Sequence, residues 1–224
     1  VTGVQTCALP IFSSISKITP NVPILSEEEF IEWDTRKNWE TYWLIDPLDG
    51  TKEFIKKNDE FTINIALIEY NQPVLGIIYA PAFGSLFFSK KNNGSYKIYT
   101  KNNLNTFKNS EKISVKYTNN EKIRVIGSRS HSNIAFDNWV KKKFTNFEII
   151  EKGSSLKFCE IAEGKADIYP RFGPTSEWDI AAGHIILLEA GGKLKTIDNK
   201  DLLYNKKEDI LNPHFFAYAN DALL

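Results

Sequence analysis

Apolar and polar positions alternate along most of this chain in two distinct periods. In FTINIALIEY (61–70), Phe61, Ile63, Ile65 and Leu67 share one face while Thr62, Asn64 and Ala66 share the other, the period of two expected of a strand. NQP then turns the chain into VLGIIYA, GSLFFSK follows Pro81, and NNG leads into SYKIYT, so the first half is expected to contain an antiparallel meander. Beyond the polar stretch TKNNLNTFKNSEK the pattern changes. KIRVIGS, FEIIEK, ADIYP and GKLKT read as short strands, and SNIAFDNWVKKKF, SSLKFCEIAEG and EWDIAAGHIILLEAGG have helical spacing. Gly164 closes the second of these helices, and Gly191 sits where the residue just past a helix end belongs. The fold class is therefore α+β in the first half and α/β in the second, with a boundary near residue 115.

The opening, VTGVQTCALPIF, fits neither half. It has no basic segment followed by an apolar one, as a targeting peptide would, and the chain contains no methionine. Residues 1–11 are expected to be foreign to the native sequence and are set aside. Two segments remain, an α+β half over 12–115 and an α/β half over 116–224.

Composition narrows the function. The 224 residues are 42% hydrophobic and 25% charged, ordinary for a globular protein. Lys plus Arg and Asp plus Glu number 28 each, so no net basic field is present to hold a nucleic acid polymer, and a small anionic ligand must be met by a local site. Two cysteines make no disulfide framework, and no apolar run reaches the roughly 18 residues of a transmembrane segment. The expected location is the cytoplasm, either free or peripheral at the inner face of the cell membrane.

One stretch demands chemistry. YWLIDPLDGTKEF ends an apolar run in two carboxylates, Asp46 and Asp49, around Pro47 and before Gly50. A solvated turn needs one such acid. Two that aim outward from the carboxyl end of a buried strand repel each other, and a divalent cation is their natural partner. With no His or Cys nearby in sequence, the oxygen ligands point to Mg²⁺ rather than zinc. ILSEEEF adds Glu27, Glu28 and Glu29, and Asp179 opens the WDIAAG helix. Taken singly, a solvated face accounts for the Glu run and a capping acid for Asp179; the combination favours a metal site.

SEEE, DPLDGT and WDIAAGHIILLEAGG, in this order and spacing, resemble the inositol monophosphatase superfamily of Mg²⁺-dependent phosphatases. DPLDGTKEFI, FTINIAL, PVLGIIYAPA, SRSH, GSSLKFC, YPRFGPTSEWDIAAGH and LNP are similar to its CysQ-type 3′(2′),5′-bisphosphate nucleotidase branch, from about residue 19 to about residue 216. The resemblance implies a layered αβαβα sandwich of the inositol monophosphatase/fructose bisphosphatase type. It also implies two or more Mg²⁺ ions and hydrolysis of a small nucleotide bisphosphate, the 3′-phosphate of 3′-phosphoadenosine 5′-phosphate or of the related sulfated nucleotide.

The same resemblance assigns roles. Glu27, Asp46, Asp49, Asp179 and the Leu48 carbonyl would ligate metal, with Thr51, Asp49 and Glu28 in the catalytic set. The Gly50 and Thr51 amides would receive phosphate, alongside substrate contacts from Glu27, Leu48, Asp49 and Asp179. Beyond the metals, Ser154, Ser155 and Lys157 of GSSLK are expected to form an anion site at a helix start, with Arg171, Arg129 and His131 as candidates for further contacts to phosphate or adenine, each equally readable as an ordinary surface residue. His184, inside an apolar helix, reads as a packed core residue. Family members carry an N-terminal helical pair ending in an acidic segment that helps activate water, and this pattern is missing here. Losing such a partner costs on the order of 10²–10⁴ in rate, so a poorly active metal- and nucleotide-binding fragment is the alternative. An inositol or fructose phosphate phosphatase is disfavoured by TKEFI and GSSLKFC.

Overall fold

The computed structural model describes residues 2–29, 31–100, 107–117, 122–129 and 134–224. Helix α1 (Thr2–Ile18) leads into β1 (Ile24–Ser26), the short helix α2 (Trp33–Arg36), β2 (Thr41–Asp49) and α3 (Thr51–Lys56). The meander follows as β3 (Thr62–Glu69), β4 (Gln72–Ala80), β5 (Ser85–Lys90), β6 (Ser95–Tyr99) and β7 (Glu111–Ile113). These seven strands form one sheet in chain order, antiparallel except for the parallel pair β1–β2. The turn after β3 uses Tyr70 and Asn71, both with positive φ. The turn therefore falls one residue earlier than composition suggests, and Gln72 and Pro73 already belong to β4.

The second sheet is built from β8 (Ile123–Ser128), β9 (Phe147–Lys152), β10 (Ile168–Arg171), β11 (Lys193–Thr196) and β12 (Phe215–Tyr218), in the order β11-β12-β10-β8-β9. β8, β9 and β10 are parallel, whereas β12 runs antiparallel to its neighbours. Helices α4 (Ile134–Lys143), α5 (Leu156–Ala162) and α6 (Glu177–Glu189) complete the chain. Among the described residues no helix is long and apolar enough to cross a membrane.

Side-chain alternation stacks these elements into five layers. Tyr42, Leu44, Ala66 and Ile68 of the first sheet pack with Ala181, Ile186 and Leu187 of α6 and Phe158 and Ile161 of α5. The same cluster takes in Ile126, Tyr169, Phe215 and Ala217 from the second sheet. The α5–α6 layer is thus sandwiched, and one core joins both sheets. Outside the second sheet, Val125, Ile168, Phe216 and Tyr218 face Val140 of α4. Outside the first lies α1, with Ala8 and Ile15 buried seven residues apart on one face and Trp43 donating Nε1–H to Thr19 Oγ1 at 2.8 Å. Residues before Phe12, set aside on sequence grounds, therefore lie in a helix that runs from Thr2. An interior Pro10 and an absence of acids in its first turn hid the usual helix-start signals.

In β3 the polar and small face, Thr62, Asn64 and Ala66, is the more deeply buried one, because α6 lies on it. The approach is close at Gly76 of β4. A Cβ there would sit 2.4 Å from Ile185 Cγ2 and 2.6 Å from the Ala182 carbonyl oxygen. Gly76→Ala must push α6 off the sheet, and we expect a loss of about 1–3 kcal/mol, read from the urea midpoint; an unchanged midpoint contradicts this packing. His184, on the same helix, is a core histidine, 5% exposed, with Nδ1 3.0 Å from the Tyr204 hydroxyl. Burial holds it down to about 4, below its unfolded value, so the unfolded chain binds the extra proton. Stability should then be full above about pH 6.5 and fall toward pH 4 by on the order of 3 kcal/mol. His184→Asn should flatten that part of the pH–stability curve, measured by denaturant titration at each pH.

Candidate metal centre

Asp46 and Asp49 are three residues apart, a spacing that puts side chains on opposite faces of a regular strand. The ladder with β3 removes the difficulty. Asp46 pairs with Asn64 and Asp49 with Thr62, with a register shift between them, so three steps on β2 match two on β3. This is a bulge, and it turns Asp49 back onto the face of Asp46. Pro47, which has no N–H for a ladder, falls inside it. Leu48 N–H donates to Asp46 Oδ1 at 2.9 Å and tightens the turn.

Three other elements converge on this point. β1 runs parallel to β2 with Ser26 level with Ile45, so the next residue, Glu27, arrives beside Asp46. Gly50 reverses the chain at φ +84°, where a Cβ would lie 3.1 Å from the Glu60 carbonyl oxygen and 3.2 Å from Ser154 Cβ; α3 then starts at Thr51. α6 brings Asp179 at its third position, where Asp179 Oδ2 accepts the Ser176 N–H at 2.8 Å in a capping box. Asp179 is therefore a cap and a member of the cluster at once. Asn212 of LNP fixes the approach to this helix, donating from Nδ2 to the carbonyl oxygens of Ser176 (2.6 Å) and Thr175 (3.1 Å).

Carboxylate oxygens of Asp46, Asp49 and Asp179 lie within 4.8 Å of one another. Burial, and then the charges of Asp49, Glu27 and Asp179, hold the Asp46 carboxyl well above its usual range. Burial followed by Asp49 pushes Asp179 up to about 7. Glu27 is raised by partial burial, offset by a hydrogen bond with Asp46. Crowded, hard, anionic oxygens of this kind suit a divalent cation with oxygen preference.

Asp49 is held by donors the sequence did not announce. Its Oδ2 accepts Ser154 Oγ–H and Ser155 N–H, both at 2.6 Å, and Asn64 Nδ2–H at 3.3 Å. Thr62 Oγ1 bridges to Ser155 Oγ (2.7 Å) and also bonds Ser154 Oγ. The polar alternation Thr62, Asn64 in an otherwise apolar strand was the visible signal. Glu60, Tyr169, Ser128 and Thr175 are further residues near the site that sequence reasoning did not single out.

A cleft of about 330 Å³ opens over the cluster. It is lined by Glu27, Asp46, Leu48, Asp49, Gly50, Thr51, Ser154, Ser155, Lys157, Arg171 and Asp179, so the expected metal positions meet the expected substrate positions other than Arg129 and His131 in one place. Glu28 does not line it; its backbone N–H turns back to Ser26 Oγ at 3.4 Å. His131 lies outside the described residues. The cations are engaged locally: Lys157 Nζ donates to the Ser154 carbonyl at 2.6 Å, and its burial brings it down to about 8. Arg171 donates to the Pro174 carbonyl at 2.7 Å, and Arg129 forks onto Glu60. A second cavity of about 400 Å³, with Phe136, Ile149 and Phe172 in its wall, shares Ser128, Tyr169, Arg171 and Pro174 with the first.

A model of the inositol monophosphatase family matches residues 5–224. The chain is 46% identical over 207 residues to a 3′(2′),5′-bisphosphate nucleotidase CysQ of Buchnera aphidicola, covering 92% of this chain and 74% of that one. To CysQ of Escherichia coli K12 it is 40% identical over 205 residues, covering 92% and 79%. The crystal structure of CysQ from Bacteroides thetaiotaomicron superposes with a TM-score of 0.84 at 41% identity, over 93% of this chain and 81% of that one.

Carboxylate repulsion makes a direct prediction about stability. Asp46→Asn removes a buried charge from the cluster, so the metal-free variant should melt higher than the metal-free parent, by about 2–4 °C for each kcal/mol of repulsion relieved. Any rise in melting temperature that a divalent cation gives the parent on titration with Mg²⁺ should be lost with it. A variant that melts lower without metal and still gains from Mg²⁺ would contradict this account.

Proposed function

The chain belongs to the inositol monophosphatase family, and from that premise we propose that it is a Mg²⁺-dependent 3′(2′),5′-bisphosphate nucleotidase of the cytoplasm. Its substrate in this reading is 3′-phosphoadenosine 5′-phosphate or the related sulfated nucleotide, cleaved to AMP or adenylyl sulfate and inorganic phosphate. One observation carries the choice of substrate: the acidic cleft shares a wall that contains Arg171 with a second, partly apolar cavity beside it. A sugar monophosphate needs only the first space. A nucleoside with a second phosphate fills both, with its base against Phe136 and Phe172 and its distant phosphate near Arg171.

The chemistry is a phosphoryl transfer to water in which the P–O3′ bond breaks and the 3′-oxygen leaves with a proton. The carboxylates would hold divalent cations, which would supply charge neutralisation at the phosphoryl oxygens and lower the pKa of the attacking water. The protein holds the pieces. Asp46, Asp49, Asp179 and Glu27 would hold the cations, and Leu48 lines the same cleft. Thr51 Oγ1, 3.4 Å from the Leu48 oxygen, gives its proton there and keeps lone pairs for an O–H of the attacking water. The Gly50 and Thr51 amides, in the first turn of α3, face the phosphoryl oxygens.

The experiment is a phosphate-release panel with Mg²⁺ on the bisphosphate nucleotide, inositol 1-phosphate and fructose 1,6-bisphosphate. The nucleotide should be strongly preferred, and Asp46→Asn should abolish release on all three. Arg171→Ala should raise KM for the bisphosphate nucleotide by roughly tenfold or more, the worth of one charged hydrogen bond, with little effect on inositol phosphate. Preference for inositol phosphate, or equal losses on both substrates, would overturn the assignment of the second cavity.

A further inference from the structure

Glu60 lies in the loop between α3 and β3, is 6% exposed, and lines neither cavity described above. Its carboxylate is nevertheless densely bonded. Oε2 accepts the Gly153 N–H at 2.8 Å and Arg129 Nε–H at 2.9 Å, Oε1 accepts Arg129 Nη2–H at 3.0 Å, and Lys152 Nζ lies 3.7 Å from Oε1. Burial alone would raise this carboxyl, but the Arg129 and Gly153 donors hold it below its usual value. The partners come from the carboxyl ends of β8 and β9, so one acid of the first half receives the second half at the mouth of the cleft.

What hangs from that acid is the turn that grips Asp49. Gly153 sits directly on the loop, since a Cβ there would lie 2.9 Å from the Glu60 carbonyl oxygen and 2.7 Å from Glu53 Cγ. The next residue, Ser154, is held at φ +54°, a conformation that costs a non-glycine residue and persists only where its surroundings enforce it. From that conformation Ser154 Oγ and Ser155 N both reach Asp49 Oδ2 at 2.6 Å. We propose that Glu60 is a positioning residue for the metal centre: by seating the Gly153–Ser155 turn it sets the orientation in which Asp49 presents its carboxylate to a cation. This rests on the cleft being a metal centre, and it adds that cation affinity is set partly from outside the cleft, through three successive contacts.

Mn²⁺ binding followed by electron paramagnetic resonance, without substrate, tests it together with amide exchange and thermal melting. Glu60→Gln should stay folded, exchange the Gly153 and Ser155 amides faster, and bind Mn²⁺ about tenfold more weakly, the usual cost of losing an outer partner of a ligand. In a Ser154→Ala background the same substitution should cost much less, because both act on one carboxylate. Glu60→Asp should recover part of the affinity. Folded Glu60→Gln with unchanged Mn²⁺ affinity, or losses that simply add with Ser154→Ala, would overturn the role of Glu60 while leaving the metal centre standing. Failure of the parent chain to bind Mn²⁺ would overturn the metal centre itself. If Glu60→Gln does not fold, Arg129→Gln loosens the same carboxylate from its other side, and unchanged Mn²⁺ affinity there would also overturn the proposal.

Discussion

Putting several carboxylates in one partly buried place is the constraint from which the rest of this structure follows. The bulge in β2 creates it by returning Asp49 to the face of Asp46, and α6 adds Asp179. Like charges so close repel each other and oppose folding in the absence of a cation. The scaffold must therefore hold them by other means. It does so with neutral donors: the Leu48 amide on Asp46, the Ser176 amide on Asp179, and Ser154, Ser155 and Asn64 on Asp49. Each fixes one oxygen without neutralising the charge, which leaves the electrostatic demand for a divalent ion intact.

This division of labour explains the inverted face of β3. A strand between two layers would ordinarily turn its larger apolar side chains toward the deeper one, yet Thr62 and Asn64 are buried while Ile63 and Ile65 are only half-buried. The buried polar pair is tolerated because its hydrogen bonds are made within the site. The Ser–Thr–Asn cluster connects the two sheets at the point where the first core gives way to the cleft. Hydrophobic packing carries the join further in, through Tyr42, Phe158 and Phe215.

Much of this was legible in the chain because it depends on local chemistry. Period-two and helical patterns marked most strands and the three long segments of the second half, and Gly191 at φ +94° ends α6 where its position after the apolar run implied. The acids were visible because Asp46, Asp49 and Asp179 are expensive where apolar elements end. What escaped was whatever depends on a partner. A bulge is a mismatch between two strands and cannot be seen in one. GSSLK reads as an anion site at a helix start, but which acceptor its donors meet is decided by a loop a hundred residues earlier, and they are turned onto Asp49. Arg129 reads as a candidate substrate contact for the same reason, although its guanidinium meets Glu60, an acid that carries no signal in the sequence. β12 went unread as well, because FFAY is a short apolar run whose role is set by the strands on either side.

The close packing of α6 on the first sheet shows how such distant decisions become precise. Asp179 must meet Asp46 and Asp49 within a few ångströms, although it comes from the far end of the chain and stands on a helix. A helix on a sheet of ordinary side chains is held at about 10 Å, with freedom set by how those side chains pack. At Gly76 the absent Cβ lets the Ala182 backbone come down onto β4, one turn along the helix from Asp179. Contact with the Ala182 backbone, with Ile185 Cγ2 packed beside it, leaves little room to slide. The acid that completes the cluster is thus located by a glycine in a neighbouring strand that takes no part in the chemistry, and the capping box at Ser176 needs only to orient it.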